Sequence, residues 1–518
     1  MERAAGGSRS TSWRLYLALA LGSLLVGSLS LLYPSTPSYD PWGWLLWGRE
    51  LLHLKLNTVG ANSFKPLPVL FTLPFALFGK AQPDLWLVVG RAGAVFAVAM
   101  AFRLAARLTL WFGPAKTGPW SLSRAISYGP AALAGAIAAI CIVIAPEYLR
   151  DAAIGYSECL AAGIVLLAVD RHLDERPRQA FVLGFFPALD RPEIWAFWGL
   201  YGLYLWRRDP AARKLVAALF AVVPCLWFLP ELWGSGHLFR GVSAALHPHN
   251  GAIAFTKCPF CTEVRAASRI APLRVKVAAV VMVAGALIAI GLGLRRRTSG
   301  LAAAVREQSH RPQGVVIALA VVAILWVLEI STMTQYGFSG NTRYLIIGAA
   351  LGIVVAAVGW GVAAWKLGEL LGRWLRPAPG AAVAALALAG VFLFFPNWVG
   401  TRFNAHALNR ALHYQADLRA DVATIIRRAG GEKKVVACGS VETENYEVPM
   451  VAFYLGVESI DVADEPPPQP PGTPPPPDPG VIFQTRDTGT GPLLPKIPRS
   501  EHYTKITQRT FSLYEHCK

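Results

Sequence analysis

Residues 15–33 read LYLALALGSLLVGSLSLLY, an uncharged run, and Tyr39-Asp40-Pro41-Trp42 lies shortly after it. Coiled as a helix, a run of this length covers the roughly 30 Å hydrocarbon core of a bilayer. Arg3, Arg9 and Arg14 precede it, as they would in a signal peptide. The run ends in Leu31-Leu32-Tyr33-Pro34 rather than at a small-residue cleavage site, so it reads as a retained first membrane helix. Asp40 then lands just beyond its far end, the first acidic residue on that side.

The pattern recurs along the chain. Apolar stretches fall at 15–33, 85–104, 129–147, 152–170, 180–189, 193–206, 214–232, 274–294, 314–332, 344–365 and 380–396. Of the 518 residues 54% are hydrophobic and 16% charged, where a soluble domain is about a quarter charged. The reading is an all-α polytopic membrane protein of about eleven transmembrane helices. The loops set its direction. Arg103, Arg107, Lys116 and Arg124 follow the second stretch, and Arg171, Arg176 and Arg178 the fourth. Arg207, Arg208, Arg213 and Lys214 follow the sixth, Arg295, Arg296 and Arg297 the eighth, and Lys366, Arg373 and Arg376 the tenth. Basic loops stay in the cytoplasm, which places the N-terminus there and the C-terminus outside the cell membrane. The net charge of +17 is spread between apolar spans, against anionic headgroups, so a nucleic-acid partner is excluded.

Two segments resist this scheme. The outer loop 233–273 carries Arg240, Lys257, Arg265 and Arg269, although long loops weigh less in the rule. The fifth and sixth stretches are short. They read as two helices meeting at Asp190-Arg191-Pro192-Glu193, a turn below the outer surface that is tolerable only beside a polar cavity.

Residues 1–397 therefore form the multi-span part, with outer loops 34–84 and 233–273, and 398–518 a small extracytoplasmic α/β domain. In the latter, 403–428 has the spacing of an amphipathic helix. Residues 435–439 and 481–484 read as buried strands, 504–514 as a final strand, and the proline-rich 465–479 as an extended loop. Cys141, Cys159 and Cys225 lie in apolar spans as packing residues. Cys438 and Cys517 could pair in the outer domain. Cys258-Pro259-Phe260-Cys261, with His247 and His249 near, reads as a local disulfide in preference to a zinc site.

Ionisable residues near a membrane need a partner or a task. Asp40 and Lys65 form the first cluster. The bland reading is a helix cap and a snorkelling lysine, with Trp42, Trp44 and Trp47 on a helix lying in the interface; the functional one is a base and a cation for an anionic lipid head. Glu147, Arg150, Asp151 and Glu158 form the second. Arg150 and Asp151 could pair at the surface, but no cation lies one helical turn from Glu158. The turn 190–193 is the third and Asn341-Thr342-Arg343-Tyr344 the fourth, where a local salt bridge and a membrane anchor are the plain alternatives. An arginine facing a cavity would neutralise phosphate. No Walker or dinucleotide glycine motif is present, which points to an activated substrate supplied by the membrane and to no cofactor or metal.

These residues resemble the GT-C superfamily of lipid-dependent glycosyltransferases, which includes protein O-mannosyltransferases, aminoarabinose transferases and arabinofuranosyltransferases. Asp40 stands where that family has its first-loop catalytic aspartate. Phe64-Lys65-Pro66 is similar to the lysine-proline element that meets donor phosphate in the aminoarabinose group. Ser157-Glu158, Arg191-Pro192-Glu193 and Arg343-Tyr344-Leu345 are similar to short motifs of bacterial members. The chain departs from the family in two places. Asp40 precedes proline where many relatives have a second acid, so Glu147, Asp151 or Glu158 would have to supply it. The Trp-Trp-Asp-Tyr-Gly motif of oligosaccharyltransferases is missing. The resemblance implies an inverting transferase of the cell envelope, active in cell-wall biogenesis. It would move sugar from a polyprenyl-phosphate donor to a hydroxyl on a glycan, lipid or protein acceptor. Asp40 would be the base, and Lys65, Arg191 and Arg343 would bind the phosphate. A transporter or flippase of lipid-linked glycans, or a non-catalytic assembly protein, would use the same spans. The sugar, the acceptor and the oligomeric state are not written in the residues.

Overall fold

The computed structural model describes residues 5–60, 63–113, 128–248, 251–295, 311–394, 403–464, 478–486, 488–498 and 502–517. Most of the proline-rich loop, the basic residues Lys116, Arg124, Arg296 and Arg297, and His249 lie outside them.

Each of the eleven apolar stretches holds a helix among the described residues, although the fourth is broken at 154–157 and the helix of the third ends at Val143. They correspond to α1 (Ala5–Leu29), α4 (Gln82–Phe112), α5 (Gly129–Val143), α7 (Glu158–Leu173), α8 (Pro177–Ala188), α9 (Ile194–Arg208), α10 (Arg213–Ser235), α13 (Leu273–Arg295), α14 (Pro312–Gln335), α15 (Ile346–Leu371) and α16 (Pro377–Phe394). Seven helical spans are long and apolar enough to cross a bilayer among the described residues. The helices α5, α7, α8 and α9, of 15, 16, 12 and 15 residues, fall short of that length. Between these spans lie the short helices α2 (Tyr39–Leu52), α3 (Pro66–Phe75), α6 (Tyr148–Ala153), α11 (Arg240–Ala245) and α12 (Pro259–Ile270).

At one end of the bundle charge pairing locks the helices together. Asp170, fully buried, takes Arg103 Nε at 2.6 Å and Arg107 Nη1 at 2.7 Å, and Tyr16 donates to it at 2.6 Å. Arg178 pairs with Asp209 there as well. The opposite end carries the C-terminal part: α17 (Ala405–Arg428), α18 (Glu432–Ala437), α19 (Val448–Leu455) and a five-stranded sheet. Its strands are β1 (Val441–Thr443), β2 (Val462–Ala463), β3 (Val481–Gln484), β4 (Thr504–Thr507) and β5 (Ser512–Glu515), in the order β2-β1-β3-β5-β4. The first three run parallel, and β5 pairs antiparallel with β3 and β4. Leu418, Val422, Ile425 and Ile426, at helical spacing on α17, pack under it, as the amphipathic pattern predicts. The expected strand at 435–439 is instead α18 and its end, and 504–514 forms two strands rather than one. The Cys438–Cys517 and Cys258–Cys261 disulfides are both formed.

The tryptophans of α2 depart from the interfacial reading. Trp42, Trp44 and Trp47 are at most 2% exposed. Trp42 packs on Phe453 and Tyr454 of α19, Trp44 on Trp86 and Trp47 on Phe64. They are core rather than membrane anchors, and one apolar cluster runs from α2 into the sheet. Burying indoles of this size dominates the packing at such a junction. Polar clamps ring it: Arg49 donates to Phe453 O, Arg419 pairs with Asp84, and Asn57 donates to Glu458. The helix bearing Asp40 is thus fixed from above by the C-terminal part.

Candidate active site

Asp40 occupies the first turn of α2, where proline at the next position costs no helical hydrogen bond. The helix start is tied down: Ser38 N–H donates to Ile154 O at 3.0 Å, and Ser38 Oγ lies 3.2 Å from the Tyr156 hydroxyl. Lys65 stands in an extended segment immediately before α3, with Pro66 opening the helix. Gly155, at φ 83°, reverses the chain between α6 and α7, and its carbonyl accepts from Trp86 Nε1 at 2.8 Å. That turn, which favours glycine, sets Glu158 at the start of α7. Arg191 sits in the turn between α8 and α9, and Arg343 in a single 3-10 turn, Thr342–Leu345, ahead of α15.

These segments converge. Glu158 is 1% exposed, and one of its oxygens, Oε1, receives three cations: Lys65 Nζ at 3.2 Å, Arg191 Nη1 at 3.4 Å and Arg343 Nε at 3.5 Å. Arg343 Nη2 also donates to Asp40 Oδ2. Arg191 grips Glu193 through Nε at 3.1 Å and Nη2 at 2.5 Å, so the local salt bridge exists alongside the convergent contact. Two ring faces hold the guanidiniums in place. Arg191 lies 3.6 Å from the Tyr344 centroid and Arg343 lies 3.8 Å from that of Tyr156. Lys65 Nζ is 5.2 Å above the Trp44 ring and 3.8 Å from Asp190 Oδ1.

Burial works against the Lys65 ammonium, but Glu158 and Asp190 outweigh it and hold its pKa above the ordinary value. Burial likewise raises the Asp190 carboxyl, against the pull of Lys65. Asp151 is 4% exposed, and burial pushes its carboxyl up to about 7 although Arg343 draws it down. Glu147 is elsewhere: it is exposed, in a left-handed turn, and pairs with the exposed Arg150 at 2.6 Å. Asp40, Lys65, Arg191 and Arg343 line one cavity of about 760 Å³. Its lining also includes the apolar Trp195, Trp227, Phe228, Phe239, Ile330 and Met333. Tyr446 of the C-terminal part also lines it, with its ring 6.1 Å from that of Tyr39.

Sequence reasoning gave no role to Tyr156, Tyr344 or Glu231. Glu231 carried a usable signal, being a lone acid inside the seventh apolar stretch. The tyrosines carried none, because stacking on an arginine is set by tertiary placement. Cys258 and Cys261, bonded to each other, leave no thiol to ligate a metal.

No model of a known protein family matches the chain, and no curated protein does. Among solved structures it is similar to ArnT from Cupriavidus metallidurans. The form bound to undecaprenyl phosphate shares 15% identity over 86% of this chain and 85% of that one, with a TM-score of 0.44. The apo form shares 16% over 87% and 86%, also with a TM-score of 0.44. A likeness this distant leaves function to be read from the site.

Proposed function

We propose that this protein is an inverting membrane glycosyltransferase that moves a sugar from a polyprenyl-phosphate donor to an acceptor hydroxyl, with Asp40 as general base. The convergence of Lys65, Arg191 and Arg343 beside Asp40, in a cavity lined by both charged and aromatic residues, carries the reading. A prenyl phosphate has matching parts: an anionic head for the three cations and a tail for the aromatic residues. The acceptor oxygen attacks the anomeric carbon, the bond from that carbon to the phosphate oxygen breaks, and the hydroxyl proton passes to Asp40. The electron pair leaves with the phosphate, whose charge Lys65, Arg191 and Arg343 receive. Preorganised cations of this kind supply the larger part of such a barrier reduction. With the basic loops in the cytoplasm, the site faces outward. A transporter reading would need a polar route through the bundle, but beneath Arg343 α15 presents Ile347, Leu351 and Val354, all buried.

The test is transfer from a panel of radiolabelled polyprenyl-phosphate sugars by the reconstituted full-length protein. Asp40→Asn should lower turnover by at least about a hundredfold while undecaprenyl phosphate still binds. Lys65→Ala should chiefly weaken that binding. Normal transfer by Asp40→Asn removes Asp40 as the base, and unchanged affinity in Lys65→Ala removes the lysine from the phosphate site.

A further inference from the structure

Lys65 reaches the cation cluster from an extended position just ahead of α3, and the strap of chain around it is pinned at two backbone points. Leu67 N–H donates to Leu189 O at 3.0 Å on one side of the lysine. Phe64 N–H donates to Glu231 Oε1 at 3.2 Å on the other. Glu231 is 3% exposed, near the end of α10, and it lines the same cavity as Lys65. Its second oxygen, Oε2, accepts from Thr58 Oγ1 at 2.9 Å. Thr58 is itself fully buried, and its N–H donates to Gly234 O at 3.2 Å. Ser63 Oγ adds a bond to Gly241 O at 2.8 Å. The carboxylate therefore staples both arms of the loop that delivers Lys65 to the cavity wall. Both of its oxygens are spent on the strap and the loop leading into it. An anion in a cavity that receives phosphate would be a liability unless it did something else.

Building on the phosphate role of Lys65 proposed above, we propose that Glu231 is the positioning residue for that lysine: it holds the strap in register and does not touch the donor. Removing the carboxylate frees the Phe64 N–H and lets the ammonium drift from its partners, which weakens anion binding. Glutamine restores the staple, since its oxygen accepts from Phe64 N–H while its amide nitrogen donates to Thr58 Oγ1.

The experiment measures binding of undecaprenyl phosphate to the full-length protein in lipid nanodiscs. Glu231→Ala should weaken affinity about tenfold, and Glu231→Gln should stay within about twofold of wild type. On a Lys65→Ala background, Glu231→Ala should cost nothing further, because it acts through the lysine. A merely structural role would instead lower thermal stability and leave affinity intact, or add its loss to that of Lys65→Ala. Tighter binding in both Glu231 variants would mean that Glu231 only repels the anion, and either result overturns the proposal. Should Glu231→Ala fail to fold, Thr58→Val breaks the other half of the staple, and unchanged affinity there overturns it equally. If wild type does not bind undecaprenyl phosphate at all, the functional reading falls first, and wild type and Lys65→Ala would then be indistinguishable.

Discussion

Glu158→Gln should move stability and anion affinity in opposite directions. Glu158 Oε1 has cations at 3.2, 3.4 and 3.5 Å. With an effective dielectric of about 20, each such pair is worth about 5 kcal/mol of gross attraction. Desolvation of the ions opposes this, and removing one member of a buried ion cluster costs about 3–5 kcal/mol in practice. Glutamine keeps the volume and one acceptor oxygen but leaves three cations short of an anion, so the unliganded protein should lose about that much stability. In the proposed reaction the same carboxylate would compete with the donor phosphate for those cations. With a phosphate about 6 Å away, its repulsion is about 3 kcal/mol, up to about a hundredfold in affinity. Looser cations give part of that back, and the expected net is about a tenfold tightening for undecaprenyl phosphate. Thermal unfolding in nanodiscs, with and without the lipid, reads both. The variant should melt lower alone and gain more from the ligand than wild type does. Weaker binding at unchanged stability would show that Glu158 does not share its cations with the phosphate, and the reasoning would be refuted.

Two further outcomes concern other parts of the chain. Glu263, on α12, is fully buried, and neither of its oxygens has a hydrogen-bond partner among the described residues. Burial pushes its carboxyl from the usual 4.5 up to about 7. Its contribution to stability is therefore full below the ordinary value and lost as the pH climbs through about 7. Glu263→Gln should melt above wild type near pH 8.5, with the gain vanishing toward pH 5; a pH-independent difference would contradict this. The Cys438–Cys517 bond spans 79 residues, so Cys438→Ser with Cys517→Ser should cost the C-terminal part up to about 4 kcal/mol, seen as faster limited proteolysis of the sheet. Equal cleavage rates would count against that.

The membrane helices were legible because each is an apolar run, and the turn at 190–193 because a single helix over 180–206 would have put one of its two basic flanks outside. The partners of the charges were not. Glu158 has no cation one helical turn away, and its three come from other segments, whose sequence separation hides the contact. Local pairing was read only in part: the salt bridge in the 190–193 turn is Arg191–Glu193, whereas Arg150 pairs with Glu147 rather than with Asp151, which is buried. The α2 tryptophans misled for a related reason. An aromatic run beside a membrane span looks interfacial until another domain covers it, and α19 does so. Val435-Val436 suggested a strand, yet Gly430 and Gly431, at φ 100° and 97°, turn the chain so that only Val435 reaches the core and the strand begins at Val441. Strand preference yields to such context.

The placement of the site residues has a common cause. Asp40 is in the first turn of α2, Lys65 immediately precedes α3, and Glu158 opens α7; Arg191 lies in the turn leading into α9, and Arg343 in the turn leading into α15. Five helix beginnings point at one cavity. Backbone N–H groups in the first turn of a helix carry partial positive charge that favours anions there. That field helps make Asp40 and Glu158 tolerable in so apolar a chain, and in the proposed reaction it would add to the three cations in drawing a phosphate inward. Side chains flanking a helix start are also free of the packing that an apolar span demands, so charge can gather there without opening the bundle below. An Asp40 moved one turn deeper into α2 would lose both advantages. The short helices α2 and α3 therefore count in the proposed chemistry alongside the long ones, since they bring two of the five helix beginnings to the site.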